Sequence, residues 1–224
     1  MDLIERRREM LMTQPSLPEE YREVEWLGTE AGVPIPYIDM GFYLTDEFEA
    51  KIHYYNNKNE AFLFGARKSA SASPYCNVNI ERTNRGDFTR FDYANKKFTQ
   101  DADKWPYKLG EFLFTFENRI AALYNISTGE SKAIDYSSIS FSPYTQQTLL
   151  LFAAHTGDQI STGDTEGNLR IYSAKFKIGG KLMRNFIPCV RKSDSKAGMY
   201  DTVTKTFYRN SRNPSQADHF VVPS

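Results

Sequence analysis

Cysteine is nearly absent from this chain, and so is any excess of charge. The two cysteines are Cys76 and Cys189. They stand too far apart in sequence to be a CxxC-type metal pair. One disulfide is open to them, but two buried thiols are expected, because a free cysteine behaves as a small buried hydrophobe. The three histidines, His53, His155 and His219, are scattered, which argues against a zinc site. Lys+Arg and Asp+Glu both number 28, so nothing draws the chain as a whole toward nucleic acid or an anionic membrane. No apolar run approaches the roughly eighteen residues of a membrane-spanning helix. No solenoid-type or propeller-type repeat is evident. Residues 1–10 are charged where a secretory signal would be apolar, so a soluble chain made in a cytoplasm is expected.

What is present favours strands. Of the 224 residues, 40% are hydrophobic, enough for one sizeable core, and 14% are aromatic. Aromatic and β-branched side chains fit a pleated, half-buried surface better than a helix. One stretch departs from this. Residues 2–13 are dominated by helix formers, and Asp2 suits a helix start. Leu3, Ile4, Met10 and Leu11 fall on one stripe, with Arg7 between them. A helix this short is not stable alone in water, so it either docks on its own domain or frays in solvent, or else serves as an anchoring or oligomerisation element. Pro15 and Pro18 then stop it and stiffen a linker. The expected organisation is residues 1–16 as helix and linker, and 17–224 as one domain.

From Tyr21 the pattern is β. In residues 47–55, Phe48, Ala50, Ile52 and Tyr54 alternate with Glu47, Glu49, Lys51 and His53, the period-two signature of a half-buried strand. Residues 75–82 alternate again, with Cys76, Val78 and Ile80 against Asn77, Asn79 and Glu81. After a turn at Gly86, residues 87–93 return as the hairpin partner. Residues 111–117 and 119–124 meet tightly at Asn118. Residues 148–154 are the most apolar stretch, unbroken from Leu149 to Ala154, as in a strand covered on both sides. Gly179-Gly180 joins two long strands, 169–178 and 182–191. Many short strands without interleaved helices predict an all-β antiparallel sandwich or barrel. Periodicity does not choose between the two.

Two stretches carry a resemblance. The first is 17–27, ending Glu25-Trp26-Leu27, followed by Tyr37-Ile38-Asp39-Met40-Gly41. The second runs through Arg170-Ile171-Tyr172, then Asn185-Phe186-Ile187-Pro188-Cys189, Gly198-Met199-Tyr200-Asp201 and Phe207-Tyr208-Arg209-Asn210. They resemble the laminin-G-like, concanavalin-A-like modules of tailed phages and prophages of gut bacteria, over roughly residues 17–212. The resemblance implies a jelly-roll fold in which the opening segment pairs with the closing strands. It also implies a place in a virion, as part of a tail, baseplate or head fibre, and a role in adhesion or glycan contact. Purely structural decoration is the alternative, and a polysaccharide hydrolase a more distant one. Fibres are often threefold, so a homotrimer joined through Leu3, Ile4, Arg7, Met10 and Leu11 is expected, with other virion proteins as partners. Read from the residues alone, the closing motif is structural. Phe186 and Ile187 fill the core, Pro188 marks a strand end or bulge, Gly198 permits a tight turn, and Asp201 bonds backbone two residues on.

Catalysis finds little support. A glycosidase needs two flanking carboxylates. Glu47 and Glu49 share a strand face, but no ExDxxE arrangement or aromatic platform accompanies them. His155 and Asp158 follow no nucleophile elbow, and no phosphate-binding glycine loop exists. The chain is read as a binding protein. For a glycan, the candidates are Trp105 and Tyr107 in a polar loop, with Asn77, Asn79 and Glu81 facing Arg90 and Asp92 across the hairpin. Calcium, which many laminin-G and lectin modules hold, has as candidates only Asp158, Asp164 and Glu166 in one glycine-rich loop. No other cofactor is expected.

Overall fold

The computed structural model describes residues 17–30, 35–56, 61–69, 75–83, 86–94, 109–141, 146–162, 169–212 and 220–223. The helix expected over 2–13 and its linker lie outside the described residues. Among the described residues every regular element is a strand. The strands form two mostly antiparallel sheets in a sandwich-like arrangement, which settles the choice that periodicity left open.

The larger sheet has ten strands. They are β1 (Tyr21–Glu23), β2 (Leu27–Gly28), β4 (Phe48–Asn56), β8 (Gly110–Glu117), β9 (Ile120–Asn125), β10 (Ser131–Asp135), β14 (Leu169–Ile178), β15 (Lys181–Arg191), β16 (Lys196–Asp201) and β17 (Thr206–Tyr208). Their order is β10-β9-β8-β4-β14-β15-β16-β17. The smaller has seven: β3 (Ile38–Asp39), β5 (Ala61–Arg67), β6 (Tyr75–Thr83), β7 (Gly86–Ala94), β11 (Leu150–Leu151), β12 (Ala154–Thr156) and β13 (Gln159–Ser161).

Local chemistry explains the hairpins. Gly179 and Gly180 both adopt positive φ, 58° and 71°. That is what a two-residue turn needs to match the twist of β14 and β15. Asn118 and Arg119, at 51° and 59°, make the same turn between β8 and β9. An asparagine tolerates this region; an arginine is strained there. The inward face predicted over 47–55 is as expected, with Phe48, Ala50, Ile52 and Tyr54 all buried in the core, while His53 on the other face is buried as well. β10 was not announced by its sequence, because only Ile134 of its five residues is buried.

The opening segment occupies an unusual place. β14 and β15 pair from their glycine turn only as far as Ala174 and Phe186. Beyond that they part, and residues 21–28 fill the fork. β1 pairs with β15 through Tyr21↔Arg191, Arg22↔Val190 and Glu23↔Cys189. β2 pairs with β14 through Leu27↔Ile171 and Gly28↔Arg170. Pro188 was expected at a strand end, yet it lies inside β15 opposite Met199. Its carbonyl accepts from Val24 N at 3.1 Å. In an antiparallel strand a residue's N and C=O point to the same flank. The bond that Pro188 cannot donate is therefore on the β1 flank, just where β1 ends, and the β15–β16 ladder is untouched.

Two more expectations are corrected. Residues 149–154 of the 148–154 stretch are buried as predicted, but the stretch is not one strand. β11 runs antiparallel to β5, and after Phe152, at φ 67°, β12 runs parallel to it. Gly198 makes no turn. It lies within β16, where an added Cβ would stand 2.3 Å from the Tyr208 carbonyl oxygen and 2.8 Å from the Phe207 ring. The glycine is needed for close approach.

The core is aromatic. Phe64 of β5 meets Phe48, Phe114 and Phe176 of the larger sheet at 5.9, 5.8 and 5.7 Å between centroids. Phe91 of β7 meets Phe114 and Phe116 at 5.4 and 4.9 Å, both edge-on. Such pairs contribute about 0.5–1.5 kcal/mol each beyond area burial. Tyr136, fully buried, donates to the Phe91 carbonyl at 2.7 Å and ties the end of β10 to the opposite sheet. Cys76 and Cys189 are free and buried, one in each sheet. Burial holds the Cys76 thiol well above its usual range and pushes Cys189 up to about 12.

Candidate functional site

The hairpin β6–β7 has the register that the polar candidates require. Asn77 stands opposite Asp92, Asn79 opposite Arg90, and Glu81 opposite Phe88. Asn77 and Asp92 are, however, fully buried. Asn77 Nδ2 donates to Asp92 Oδ2 at 3.1 Å, and Arg90 Nε lies 3.3 Å from the same oxygen. The row continues through Gly65, where an added Cβ would stand 2.4 Å from Asn77 Cβ. Asn77, Arg90 and Asp92 thus form a packed polar cluster, in which a hydrogen bond and the guanidinium compensate a buried carboxylate. Trp105 and Tyr107 lie outside the described residues, as do Asp164, Glu166 and the anchoring candidates Leu3, Ile4, Arg7, Met10 and Leu11. Asp158 is exposed and accepts from Gln147 Nε2 at 3.3 Å. Among the described residues no three His, Cys, Asp or Glu side chains gather as a metal site. Glu49 is engaged by Lys177 Nζ at 3.1 Å, while Glu47 lies beside the Gly179 turn.

A second constellation lies on the outward face of the larger sheet. It starts at Gly28. The missing Cβ leaves room for the Trp26 ring, whose edge would be 3.1 Å from such an atom. Gly28 is the cross-strand neighbour of Arg170. The Arg170 guanidinium lies 4.4 Å from the Trp26 ring centroid and 5.4 Å from that of Tyr55, its partner on β4. A guanidinium within about 6 Å of a ring is attracted by the ring quadrupole. One arginine therefore holds two aromatic rings in place across three strands.

The strip continues along β4 and β14. A bulge between Ile171 and Ser173 interrupts the register. It releases Tyr172 from strict alternation, and its ring stacks on His53 at 4.4 Å and 21°. A bulge re-aims a side chain in this way. His53 Nε2 lies 2.7 Å from Glu111 Oε1, with both side chains largely buried. Tyr55 and Glu111 are themselves cross-strand partners. Trp26, Tyr55, Arg170 and Tyr172 all remain partly exposed. The next row puts Lys51 directly opposite Lys175. Burial and the neighbouring Lys51 and Lys177 charges hold the Lys175 ammonium below its usual pKa.

This arrangement offers flat aromatic surface bordered by fixed charge. Chemically it can stack on C–H faces and bond hydroxyls or anions. Sequence reading placed His53 and Lys51 on an outward strand face, and Trp26 and Arg170 in the two end segments that carry the resemblance, but did not unite them. The bulge hides Tyr172 from the period-two pattern, and the fork that brings Trp26 to Arg170 has no local signal. No family model matches the chain, and no curated protein sequence matches it.

Proposed function

We propose that this chain is an adhesive, glycan-contacting module of a tailed-phage virion, a jelly roll of the laminin-G/concanavalin-A class. One observation carries the binding part: the partly exposed Trp26–Arg170–Tyr55 stack, continued by Tyr172 on His53, along one outward sheet face. A glycan offers apolar C–H faces to such rings and hydroxyls to Arg170 and Glu111. The insertion of the opening segment among the closing strands agrees with what the resemblance implies for such modules. In this reading, residues 1–16 join three copies and attach them to other virion proteins, and the sandwich faces outward.

The test uses the full chain on a glycan array and on intact bacterial cell-wall polysaccharide. The expected result is retention that falls about ten-fold or more in Trp26→Ala and Tyr172→Ala, as for aromatic residues that a partner covers on binding, with thermal midpoints recorded to exclude unfolding. Light scattering should give a trimer for the full chain and a monomer once residues 1–16 are removed. A chain that retains no glycan is a decoration protein. A monomeric full chain removes the role given to residues 1–16.

A further inference from the structure

The like-charged pair on the outward face says which glycan the strip prefers. Lys51 and Lys175 are direct cross-strand partners. Side chains so placed have Cβ atoms about 5 Å apart, and like charges there oppose folding. The neighbouring row does not relieve them. Lys177 is matched by Glu49 at 3.1 Å, so Glu49 is already engaged. The far side of Lys51 is Thr115, and the far side of Lys175 is Asn185. Neither carries charge. At the other end of the strip Arg170 adds a cation, held by Trp26 and Tyr55. The chain as a whole has a formal net charge of zero, so this concentration of cations on β4 and β14 is local.

We propose that this face docks an acidic polysaccharide, one built of pyranose rings bearing carboxylates, with rings over Tyr172 and Tyr55 and a carboxylate between Lys51 and Lys175. This rests on the glycan-binding reading and sharpens it to a substrate class. Lys175 lies three positions beyond Tyr172 on β14, about 10 Å at roughly 3.3 Å per residue. Ring and carboxylate then belong to different sugars of one chain, so an oligomer is required and a monosaccharide is not enough. A carboxylate at the lysine pair replaces mutual repulsion by two attractions. It also offsets the burial and the neighbouring Lys51 and Lys177 charges that hold the Lys175 pKa below its usual value. A nucleic acid or polyphosphate satisfies the lysines but makes no use of the spacing to Tyr172.

Affinity electrophoresis of the full chain tests this, with alginate as the polyuronate, dextran as the neutral glycan and polyphosphate as the plain polyanion. Alginate should retard the protein at low salt, with the effect weakened by added salt, and dextran should not. Lys51→Glu, which changes an exposed side chain, and Lys175→Glu should each weaken alginate binding about ten-fold or more, and Tyr172→Ala about five-fold or more. A thermal midpoint for Lys51→Glu that holds or rises, as relief of the repulsion requires, keeps the test independent of unfolding. Three results overturn the proposal: no retardation by alginate, equal retardation by dextran, or polyphosphate binding as strong as alginate binding with Tyr172→Ala indifferent. Binding to neutral glycans alone refutes the acidic preference and leaves the adhesive reading standing; binding to no glycan refutes both.

Discussion

Replacing Asp201 by alanine should be among the most damaging single changes in this chain, and the structure says by how much. Asp201 is fully buried at the end of β16. Its Oδ1 accepts from Asn185 N at 2.8 Å and Val203 N at 3.1 Å. Its Oδ2 accepts from Thr204 N at 3.2 Å and Thr204 Oγ1 at 2.7 Å, and Arg184 Nε lies 3.7 Å from it. One carboxylate thus closes the β16–β17 turn and pins β15 beside it. Alanine leaves the buried Asn185 N–H without its acceptor and Arg184 without its counter-charge. Removing one member of a buried charged cluster costs about 3–5 kcal/mol. An asparagine side chain in the same place keeps one acceptor oxygen but points an amide at two donors, so Asp201→Asn should cost about half as much. With a urea slope of about 2–3 kcal/mol per M, the alanine variant should lose about 1.5 M from its unfolding midpoint with an unchanged slope. A loss below about 0.5 M refutes the reasoning. So does an asparagine variant as damaged as the alanine one, because the argument rests on acceptors and not on volume.

Gly198→Ala should cost about 3 kcal/mol, since the new methyl meets backbone oxygen 2.3 Å away and the strand must move. Gly180→Ala, with open space around it and only its positive φ to strain it, should cost about 1 kcal/mol; paired urea titrations compare the two. His155 is held below its ordinary value of 6.5 by burial, against a smaller opposing effect of Asp39. Below pH 6.5 the unfolded chain therefore takes up a proton that the folded chain refuses, and stability falls with pH until the folded-state value is reached. His155→Gln should lose that component of the decline, read from unfolding midpoints at pH 7.5 and pH 5.5. Parallel declines in both proteins would refute it.

Where structure follows from neighbours in the chain, the sequence alone determined it. The alternation of Phe48, Ala50, Ile52 and Tyr54 set one strand and its buried face, because side chains on a strand point alternately to opposite sides. Gly179-Gly180 and Asn118 set hairpins, because few residues tolerate the left-handed region. Asp201 declared its turn, because a carboxylate reaches backbone two residues on. What pairs with what across long stretches was decided only by the tertiary structure. The insertion of residues 21–28 between β14 and β15, the reversal at Phe152 and the burial of Asn77 with Asp92 depend on partners that no local pattern names. The outward strip is of the same kind. Trp26, Tyr55, Arg170 and Tyr172 come together because a fork admits a distant segment and a bulge shifts the alternation by one residue, and both arise from how strands fit side by side.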